Sequence, residues 1–592
     1  MQYRTHHVKQ LLQAEINKPV TVAGFLDTKR DHGGLLFITI RDSTGIIQCV
    51  LEQSTPLFET ANALSKESVV SLTGVLKQRV SGTINPNLEL GAFEIECTDI
   101  KILSIAQMLP FDQQQTINDE LKLKYRYLYL RREKMQKKLK LRADFIQYLR
   151  NQMIELGFME VQTPILTASS PEGARDYLVP SYDYKGKFYA LPQAPQQFKQ
   201  ILMASGVNKY YQIAPCFRAE NSRADRSPGE FYQLDFEISF GTQEQVFDVC
   251  EQVIGGAFEK FFAGKINKTP FPIFTYQQAM EEFCCDKPDL RNPLRYQNIT
   301  SVILNNTPAI LEQHAKQSDF CAKILPVVGK FTRKMFDQLQ LYAQECGLSG
   351  MAYAKFETKH DDTAINSNET TNNGVWSGPG AKMIPNEYLT LDQDGAVFLL
   401  AGSEKIVNKA GANLRNYIYN ELLGNVFAEC MEFCWVNDYP MFEKDDTTGQ
   451  IVFSHNPFSM PQKGVQDLYT SNPLDIVAYQ YDLVCNGVEI CSGAVRNHDP
   501  NGLRKAFEIA GYNISEINQN FNAMLSAFEC GVPPHAGAAP GIDRMLMLIS
   551  GEDNIREVIA FPLSQNAQDL LMGAPTHLSD KQMKDLGLKV IR

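Results

Sequence analysis

The stretch Tyr232–Phe240 combines a strand-like alternation with two carboxylates. Apolar and polar residues alternate strictly along YQLDFEISF, which predicts a strand with one apolar face. The opposite face carries Gln233, Asp235, Glu237 and Ser239. A polar face exposed to solvent explains this pattern equally well, so the strand alone does not distinguish a binding site from a surface.

The loop before this strand favours a binding site. It holds Arg218, Arg223 and Arg226 between two predicted strands, YYQIA and EFYQLDFE. Guanidinium groups form paired, charge-assisted bonds with phosphate oxygens, and Phe231 offers an aromatic surface for a base. Loop and strand together suit a ligand that carries a polyphosphate.

A second pair of carboxylates lies in the segment 481–489, YDLVCNGVE. Asn486-Gly487 between apolar residues is a strong signal for a two-residue hairpin turn. In that hairpin Asp482 and Glu489 share one face of the sheet. Like charges this close need a cation, and Mg²⁺ held by one or two carboxylates and a substrate phosphate is the usual solution. A solvated edge hairpin is the alternative.

Arg496 is harder to place on the same face. It lies an odd number of residues after Glu489, so a regular strand would point the two side chains to opposite sides. The small residues Cys491–Ala494 predict a β-bulge that turns Arg496 back. A regular ladder through Gly493 would contradict this prediction.

The run GAAPGIDR at 537–544 precedes an apolar, helix-like stretch, MLMLI. Its glycines permit a close approach of the backbone to a ligand, and Arg544 lies where the helix is predicted to begin. A glycine-rich loop alone is weak evidence. Strand, glycine loop, Asp543-Arg544 and buried helix in succession are much more specific.

Composition limits the class of protein without deciding its function. A chain of 592 residues predicts three or four domains, and no apolar run is long enough to span a membrane. The net charge of −11 argues mildly against nucleic-acid binding, although a local basic surface is compatible with it.

The 13 cysteines show no CxxC pair and predict reduced core thiols. The N-terminal residues lack a signal core, so we expect a cytoplasmic location.

Changes in composition and hydrophobic pattern along the chain predict an α+β architecture with several domains. Five short strand-like runs in residues 1–105 predict a small OB-type barrel. Beyond it we predict a hinge (106–135), a catalytic region in two parts (136–284 and 426–565), an inserted domain (285–425) and a tail (566–592). A helix is predicted from Lys137 to Gly157. The barrel runs are Val20–Leu26, Leu35–Ile40, Gly45–Leu51, Val69–Leu76 and Phe93–Cys97.

These segments resemble the three motifs of the class II aminoacyl-tRNA synthetases. GFMEVQTP at 157–164 is similar to motif 1, the segment 217–235 to motif 2, and GIDR at 541–544 to motif 3. The bacterial aspartyl branch is indicated by SPEGARDYLVPS at 170, KFYALPQAPQQFKQ at 187, DKPDLRNP at 286, HNPF at 455 and PPHAG at 533. The likeness spans nearly the whole chain. It implies an OB-fold barrel, an antiparallel-sheet catalytic domain and an inserted GAD-like α/β domain.

The resemblance also implies roles for individual residues. The catalytic residues would be Arg218, Glu489 and Arg544. The residues that bind L-aspartate would be Glu172, Gln196, Lys199, Arg218, Asp235, His455 and Arg496. The residues that bind ATP would be Arg218, Ala219, Glu220, Phe231, Glu489, Gly541, Ile542, Asp543 and Arg544. Mg²⁺ would be held by Asp482 and Glu489.

The chemistry of adenylate formation is consistent with these roles. A carboxylate attacks the α-phosphorus of ATP, so two anions must meet, and fixed cations offset their charge. Lys199 and Arg496 would grip the side-chain carboxylate. Bound asparagine would leave both cations unpaired, so an editing site is not expected.

The same family resemblance assigns the barrel to the anticodon of tRNA. Its predicted contacts are Arg30, Phe37, Gln48, Arg79, Asn85 and Glu94. His32, with Gly82 in a later loop, resembles the non-discriminating form that charges tRNA(Asn) as well as tRNA(Asp). A solvent-exposed turn histidine is the alternative. The motif 1 resemblance implies a homodimer.

Two other functions remain open at this stage. An asparaginyl or lysyl enzyme of the same class would keep the fold, but Lys199 with Arg496 argues against lysine and the GAD-like insertion against both. A former synthetase that only binds RNA is the third reading. The complete set of predicted catalytic residues argues against it.

Overall fold

The computed structural model describes residues 2–169, 174–220, 229–358 and 374–590. The chain divides into two compact units, Met1–Gln136 and Lys137–Arg592. No helix in the described ranges is both long and apolar enough to cross a membrane. All thirteen cysteines lie in these ranges as free thiols, and most are buried.

The first unit is built on a closed five-stranded barrel, as the alternating sequence predicts. The strands follow the order β1-β2-β3-β5-β4, and alternation along β2 turns Leu36, Ile38 and Ile40 into the barrel core. Helix α1 (Pro56–Ala63) follows the third strand. The strands are β1 (Pro19–Asp31), β2 (Leu35–Arg41), β3 (Ile46–Glu52), β4 (Val69–Gln78) and β5 (Phe93–Ser104).

The segment predicted as a hinge, 106–135, is folded. It forms α2 (Asp119–Lys124), α3 (Arg126–Tyr129) and the start of α4 (Glu133–Glu155), with a small apolar core of its own. Helix α4 begins four residues before the predicted Lys137 and ends just before Gly157, whose φ of 80° stops it. The predicted domain boundaries themselves stay predictions.

The second unit contains two larger sheets and shorter β-pairs. Its strands are β6 (Met159–Glu160), β7 (Leu178–Pro180), β8 (Phe188–Ala190), β9 (Lys209–Phe217), β10 (Glu230–Ser239), β11 (Lys265–Ile266), β12 (Ile273–Thr275), β13 (Gln297–Asn298), β14 (Phe320–Val328), β15 (Ala352–Thr358), β16 (Gly374–Ser377), β17 (Gly395–Ser403), β18 (Cys430–Met431), β19 (Phe433–Asn437), β20 (Phe442–Lys444), β21 (Ile451–Phe453), β22 (Gln480–Cys485), β23 (Val488–Val495) and β24 (His535–Ala538). Its α-helices after α4 are α5 (Gln196–Ala204), α6 (Gln243–Cys250), α7 (Gly256–Phe261), α8 (Tyr276–Phe283), α9 (Thr300–Asn305), α10 (Arg333–Glu345), α11 (Glu404–Asn416), α12 (Asp467–Thr470), α13 (Pro500–Ile509), α14 (Ile514–Glu529), α15 (Ile542–Ile549) and α16 (Asp580–Leu586).

The larger sheet has eight strands in the order β12-β19-β22-β23-β24-β10-β9-β6. Its pairs are antiparallel except β12–β19 and β6–β9 at the two edges, which confirms the predicted antiparallel catalytic sheet. Leu234, Phe236 and Ile238 of β10 pack in a core with α4, α6 and α15. The opposite face of the same strand carries Asp235 and Glu237, and both are buried. The polar face is therefore the interior of a site and not a solvated surface.

The hairpin β22–β23 has the predicted register near its turn. Cys485 pairs with Val488 and Val484 with Glu489, and both Asn486 and Gly487 have positive φ. The bulge lies at Ile490, because Leu483 pairs with Cys491. Its predicted position within Cys491–Ala494 is wrong, since the ladder through Gly493 is regular. The extra residue still restores Arg496 to the face of Glu489, because the side-chain alternation shifts by one.

The inserted segment forms a separate five-stranded sheet, in the order β13-β14-β17-β15-β16. Helices α10 and α11 contribute to its apolar core, so an α/β character is present as expected. The Asn/Thr-rich stretch near residues 366–373 lies outside the described residues.

Candidate active site

A cavity of about 650 Å³ opens on the polar face of the eight-stranded sheet. Residues from five sequence regions that are far apart in the chain meet in it. The predicted site residues that line it are Gln196, Lys199, Arg218, Glu220, Phe231, His455, Glu489, Arg496, Gly541, Asp543 and Arg544. The convergence places the predicted amino-acid and nucleotide contacts in one pocket.

Two of the lining residues, Lys199 and Arg496, belong to a group of four buried charges that also contains Asp235 and Glu237. Lys199 Nζ, at the second turn of α5, donates to Asp235 Oδ1 at 2.6 Å and lies 3.4 Å from Glu237 Oε2. Arg496 Nε donates to Glu237 Oε1 at 2.8 Å, and Nη2 donates to Oε2 at 3.2 Å. Two cations and two carboxylates balance each other away from water, which buried charges require.

Three polar atoms in this group have no hydrogen-bond partner among the described residues: Arg496 Nη1, Asp235 Oδ2 and Gln196 Nε2. A buried polar group without a partner costs about 1–3 kcal/mol. Two donors and one anionic acceptor can therefore bind a polar ligand that carries both a negative and a positive group. An α-amino acid with an acidic side chain meets that description.

The two carboxylates of the group respond differently to burial. Burial raises the pKa of Asp235, although Lys199 opposes the effect. For Glu237 the raising effect of burial is outweighed by Arg496 and Lys199, so the pKa of its carboxyl is lowered. Glu237 is thus fixed as an anion between the two cations, whereas Asp235 gains most from a further cation such as an ammonium group.

The outer part of the cavity carries the predicted nucleotide contacts. The guanidinium of Arg218 lies over the ring of Phe231, with Cζ 5.0 Å from its centroid. Arg544 Nη1 donates to the backbone oxygen of Glu489 at 2.8 Å and lies 3.4 Å from its Oε1. An aromatic face and two arginines near a carboxylate provide stacking and charge for a nucleotide and its phosphates.

The start of α15 is fixed by Asp543. Its Oδ2 accepts the backbone N–H of Tyr232 at 2.8 Å, and Oδ1 accepts Arg142 Nη1 from α4. The carboxylate is therefore engaged in positioning strand and helix. Ile542 is packed in the core, and neither Ile542 nor Ala219 is among the described residues that line the cavity, so their predicted contacts with ATP stay predictions.

Carboxylates gather again beside the turn of β22–β23. Tyr439 Oη donates to Asp482 Oδ2 at 3.0 Å, and the buried Asp482 Oδ1 has no hydrogen-bond partner among the described residues. Lys287 Nζ lies 3.4 Å from Glu489 Oε2 and 4.0 Å from Asp482 Oδ2. Burial, together with the charge of Glu489, raises the pKa of Asp482 to about 7. No pattern in the sequence predicted a role for Lys287.

Three carboxylate or imidazole groups here could hold one divalent cation. Ligand atoms of Asp286, His455 and Asp482 lie within 4.8 Å of one another. Glu489 shares the ammonium of Lys287 with Asp482. The oxygen-rich set, with an unpartnered carboxylate oxygen, fits a hard cation such as Mg²⁺.

Four of the predicted anticodon residues lie on the outer side of the adjacent barrel strands β1, β2, β3 and β5, namely Arg30, Phe37, Gln48 and Glu94. Arg30 pairs with Phe37 across β1–β2, and Gln48 Nε2 donates to Glu94 Oε2 at 2.9 Å. Arg79 Nε lies 3.6 Å from the same carboxylate oxygen. Asn85 lies in the following loop, and its backbone N–H donates a hydrogen bond to the Gly91 oxygen.

His32 and Gly82 lie in the loops beside this face. The exposed ring of His32 packs edge-on against Phe37, with the ring centroids 5.5 Å apart. A Cβ on Gly82 would meet nothing within 4 Å in the described part of the chain, and its φ is not positive. The barrel fold therefore does not require glycine at this position.

Some predicted residues lie outside the described ranges, namely Glu172, Arg223 and Arg226. Other residues in the site were not assigned from the sequence. Glu237 was visible on the polar face of β10, and Asp286 with Lys287 in DKPDLRNP, but no spacing rule connected either to the pocket. Arg142 gave no signal, because it meets Asp543 only through the fold.

Comparisons with known proteins agree with this geometry. Residues 118–565 match the family described as tRNA synthetases class II (D, K and N), and residues 20–103 match the OB-fold nucleic acid binding domain. Among solved structures, an aspartyl-tRNA synthetase from Entamoeba histolytica has a TM-score of 0.57 at 18% identity, covering 94% of this chain and 91% of that one. At this identity the likeness supports the fold.

Curated relatives are closer in sequence. The aspartate–tRNA(Asp/Asn) ligase of Zymomonas mobilis is 46% identical over 99% of this chain and 98% of its own length. The aspartate–tRNA ligase of Streptomyces avermitilis is 46% identical with the same coverage. The aspartate–tRNA(Asp/Asn) ligase of Pelagibacter ubique is 44% identical over 99% of this chain and 98% of its own length. The chain therefore belongs to the aspartate–tRNA ligases, within the class II aminoacyl-tRNA synthetases.

Proposed function

We propose that the group of four buried charges recognises both the side-chain carboxylate and the α-ammonium group of L-aspartate. Lys199 and Arg496 bind the side-chain carboxylate, and Asp235 with Gln196 binds the α-ammonium group. The observation that carries this proposal is the pairing of both cations with Glu237 while Arg496 Nη1 is left without a hydrogen-bond partner in the described chain. The cations are fixed before the substrate arrives, and one donor is free to meet it.

Asparagine is rejected by the same arrangement. An amide in place of the carboxylate would supply less charge to two buried cations and would turn N–H donors toward them. A site built for a polar partner rejects a ligand that leaves its groups unpaired by factors of about 10⁴–10⁵. Aspartate selection therefore needs no separate editing step.

The outer cavity positions ATP for attack by the substrate carboxylate. Arg218 bridges that carboxylate and the α-phosphate, while Phe231 and Arg544 hold the adenine between them and Glu220 contacts the adenosine. His455 and Glu172 complete the aspartate side. No side-chain nucleophile is needed, because the substrate supplies it and the protein contributes position and charge.

Asp482 and Glu489 hold the Mg²⁺ that accompanies ATP. The ion would offset phosphate charge as the two anions approach. Support comes from Asp482 Oδ1, which has no hydrogen-bond partner among the described residues, and from the ammonium of Lys287, which lies near both carboxylates. Carboxylate oxygens suit a hard divalent ion, which supports Mg²⁺ as the metal.

The barrel face reads the anticodons of both tRNA(Asp) and tRNA(Asn). Phe37 stacks on a base, and polar groups beside it contact base edges and backbone. His32 on Phe37, and a glycine at 82 that the fold does not require, support the broader specificity. Two of the relatives described above carry the name aspartate–tRNA(Asp/Asn) ligase. The contacting residues are Arg30, Phe37, Gln48, Arg79, Asn85 and Glu94.

A homodimer and a cytoplasmic location complete the proposal. Met159 in the edge strand β6, and Ile165 and Leu166 just after it, are about half exposed, which supports an apolar contact at the motif 1 edge. The domain division proposed from the sequence accompanies this assignment, with the inserted domain at 285–425.

Charging assays with purified tRNAs test the broader specificity. We expect aspartate to be attached to both tRNA(Asp) and tRNA(Asn), with asparagine attached to neither. If tRNA(Asn) accepts no aspartate while tRNA(Asp) is charged normally, the enzyme is specific for tRNA(Asp) and the proposed role of His32 is wrong.

A further inference from the structure

The ammonium group of Lys287 lies among three carboxylates beside the nucleotide cavity. Nζ donates to Asp286 Oδ2 at 2.7 Å and lies 3.4 Å from Glu489 Oε2 and 4.0 Å from Asp482 Oδ2. Two of these carboxylates are the proposed metal ligands. Lys287 therefore neutralises the same charges that a divalent cation would neutralise.

The loop that carries Lys287 is held at two points. The turn of β22–β23 packs against it, since a Cβ on Gly487 would lie 3.5 Å from Asp289 Cβ and 3.7 Å from the Lys287 oxygen. The buried Arg415 of α11 donates to the Asp289 oxygen at 3.0 Å. The backbone of this loop is thus fixed beside the β22–β23 hairpin, and the flexible side chain of Lys287 is the part that can move.

Electrostatics explains why a cation lies here at all. Asp482 is buried and Glu489 is half-buried, and an ammonium group between them offsets the repulsion of their charges. The group stays paired without a bound ion.

We propose that Lys287 is a positioning residue that occupies the metal site until Mg²⁺ arrives with ATP. A divalent cation displaces its ammonium from Asp482 and Glu489 and leaves it paired with Asp286. Competition from Lys287 keeps the affinity of the enzyme alone for divalent cations low, so that the phosphates of ATP complete the site. This inference rests on the proposed metal ligands.

Mn²⁺ binding to the full-length enzyme without nucleotide, followed by electron paramagnetic resonance, tests the competition. Lys287→Met should bind Mn²⁺ about tenfold more tightly than the wild type, because a competing charge is removed while the carboxylates of Asp482 and Glu489 remain. Lys287→Arg keeps the charge and should resemble the wild type. Lys330→Met, at an exposed lysine of the inserted segment, is the matched control and should change nothing.

Combining Lys287→Met with Asp482→Asn separates the proposed metal site from the proposed competition by Lys287. If the double variant loses the tight Mn²⁺ binding, the metal site is correct and Lys287 competes for it. If Lys287→Met binds Mn²⁺ no better than the wild type although Asp482→Asn weakens binding, the role of Lys287 is wrong and the metal site stands. If Asp482→Asn has no effect on Mn²⁺ binding in either background, the metal site is wrong.

Discussion

Arg496 and Glu237 form a two-point ion pair in the buried polar face of the catalytic sheet. Nε and Nη2 of the arginine donate to the two oxygens of one carboxylate, at 2.8 and 3.2 Å. Planar pairing of this kind fixes the guanidinium, because both of its bonds must be kept at once. Nη1 then remains as a donor with a defined direction, and this is the basis for recognition of a substrate carboxylate.

Arg496→Leu should raise the KM for aspartate by about 100-fold or more in ATP–pyrophosphate exchange. Removing one member of a buried, hydrogen-bonded charge pair costs about 2–5 kcal/mol. The KM for ATP should change by less than about threefold, since nucleotide contacts lie in the outer cavity. Equal loss of affinity for both substrates would contradict the assignment. Arg496→Lys, which keeps the charge but not the two-point pairing, should have an intermediate effect.

Phe231→Leu should affect the other substrate. Stacking of a base on an aromatic ring contributes about 1–3 kcal/mol, so the KM for ATP should rise about 5- to 100-fold. The KM for aspartate should stay within about twofold of the wild type. Phe231→Tyr keeps the ring and serves as the control. An unchanged KM for ATP in the leucine variant would show that the adenine binds elsewhere.

His32→Leu should reduce the charging of tRNA(Asn) about tenfold and leave tRNA(Asp) nearly unaffected. The imidazole can form hydrogen bonds to a base edge, and leucine cannot. Aminoacylation kinetics with each purified tRNA measure the ratio. The alternative, an exposed turn histidine without a role, predicts the same charging of both tRNAs before and after the substitution. A parallel loss with both tRNAs would indicate damage to the barrel face.

The stability of the second unit should depend on pH through His535. Nδ1 lies 2.9 Å from the Pro533 oxygen, and burial lowers the pKa of His535 to about 4. An unfolded histidine has a pKa of about 6.5, so the unfolded state binds the additional proton. The contribution to stability is therefore present above pH 6.5 and is lost as the pH falls towards 4, by up to about 3 kcal/mol.

Urea unfolding followed by tryptophan fluorescence checks this dependence, because Trp376 and Trp435 both lie in the second unit. His535→Asn should be less stable than the wild type at pH 7, with a shallower loss between pH 6.5 and 4.5. An identical pH dependence in the two proteins would show that the pKa of His535 is the same in the folded and unfolded states.

Local patterns in the sequence predicted much of this fold. The alternation of apolar and polar residues predicted β10 and the barrel strands, and Asn486-Gly487 predicted the register of the β22–β23 hairpin near its turn. These features are determined by neighbours along the chain. Asp235 was predicted as a contact only through family resemblance, because alternation does not reveal whether a polar face is buried.

Long-range contacts could not be predicted in the same way. Arg142 and Asp543 are 401 residues apart, and Lys287 meets Glu489 only because a loop crosses the β22–β23 turn. The bulge is at Ile490 and not among the smaller residues that follow, which pair regularly with β22 and, from Gly493 to Val495, with β24. Such contacts depend on packing between elements, which a single sequence does not specify.

The central claim is that two fixed cations recognise the side-chain carboxylate of the substrate. The most direct test compares aspartate with asparagine in ATP–pyrophosphate exchange by the wild-type enzyme. The account predicts a kcat/KM for aspartate on the order of 10⁴-fold higher than that for asparagine, without any tRNA present. Exchange with asparagine within about tenfold of that with aspartate would contradict it.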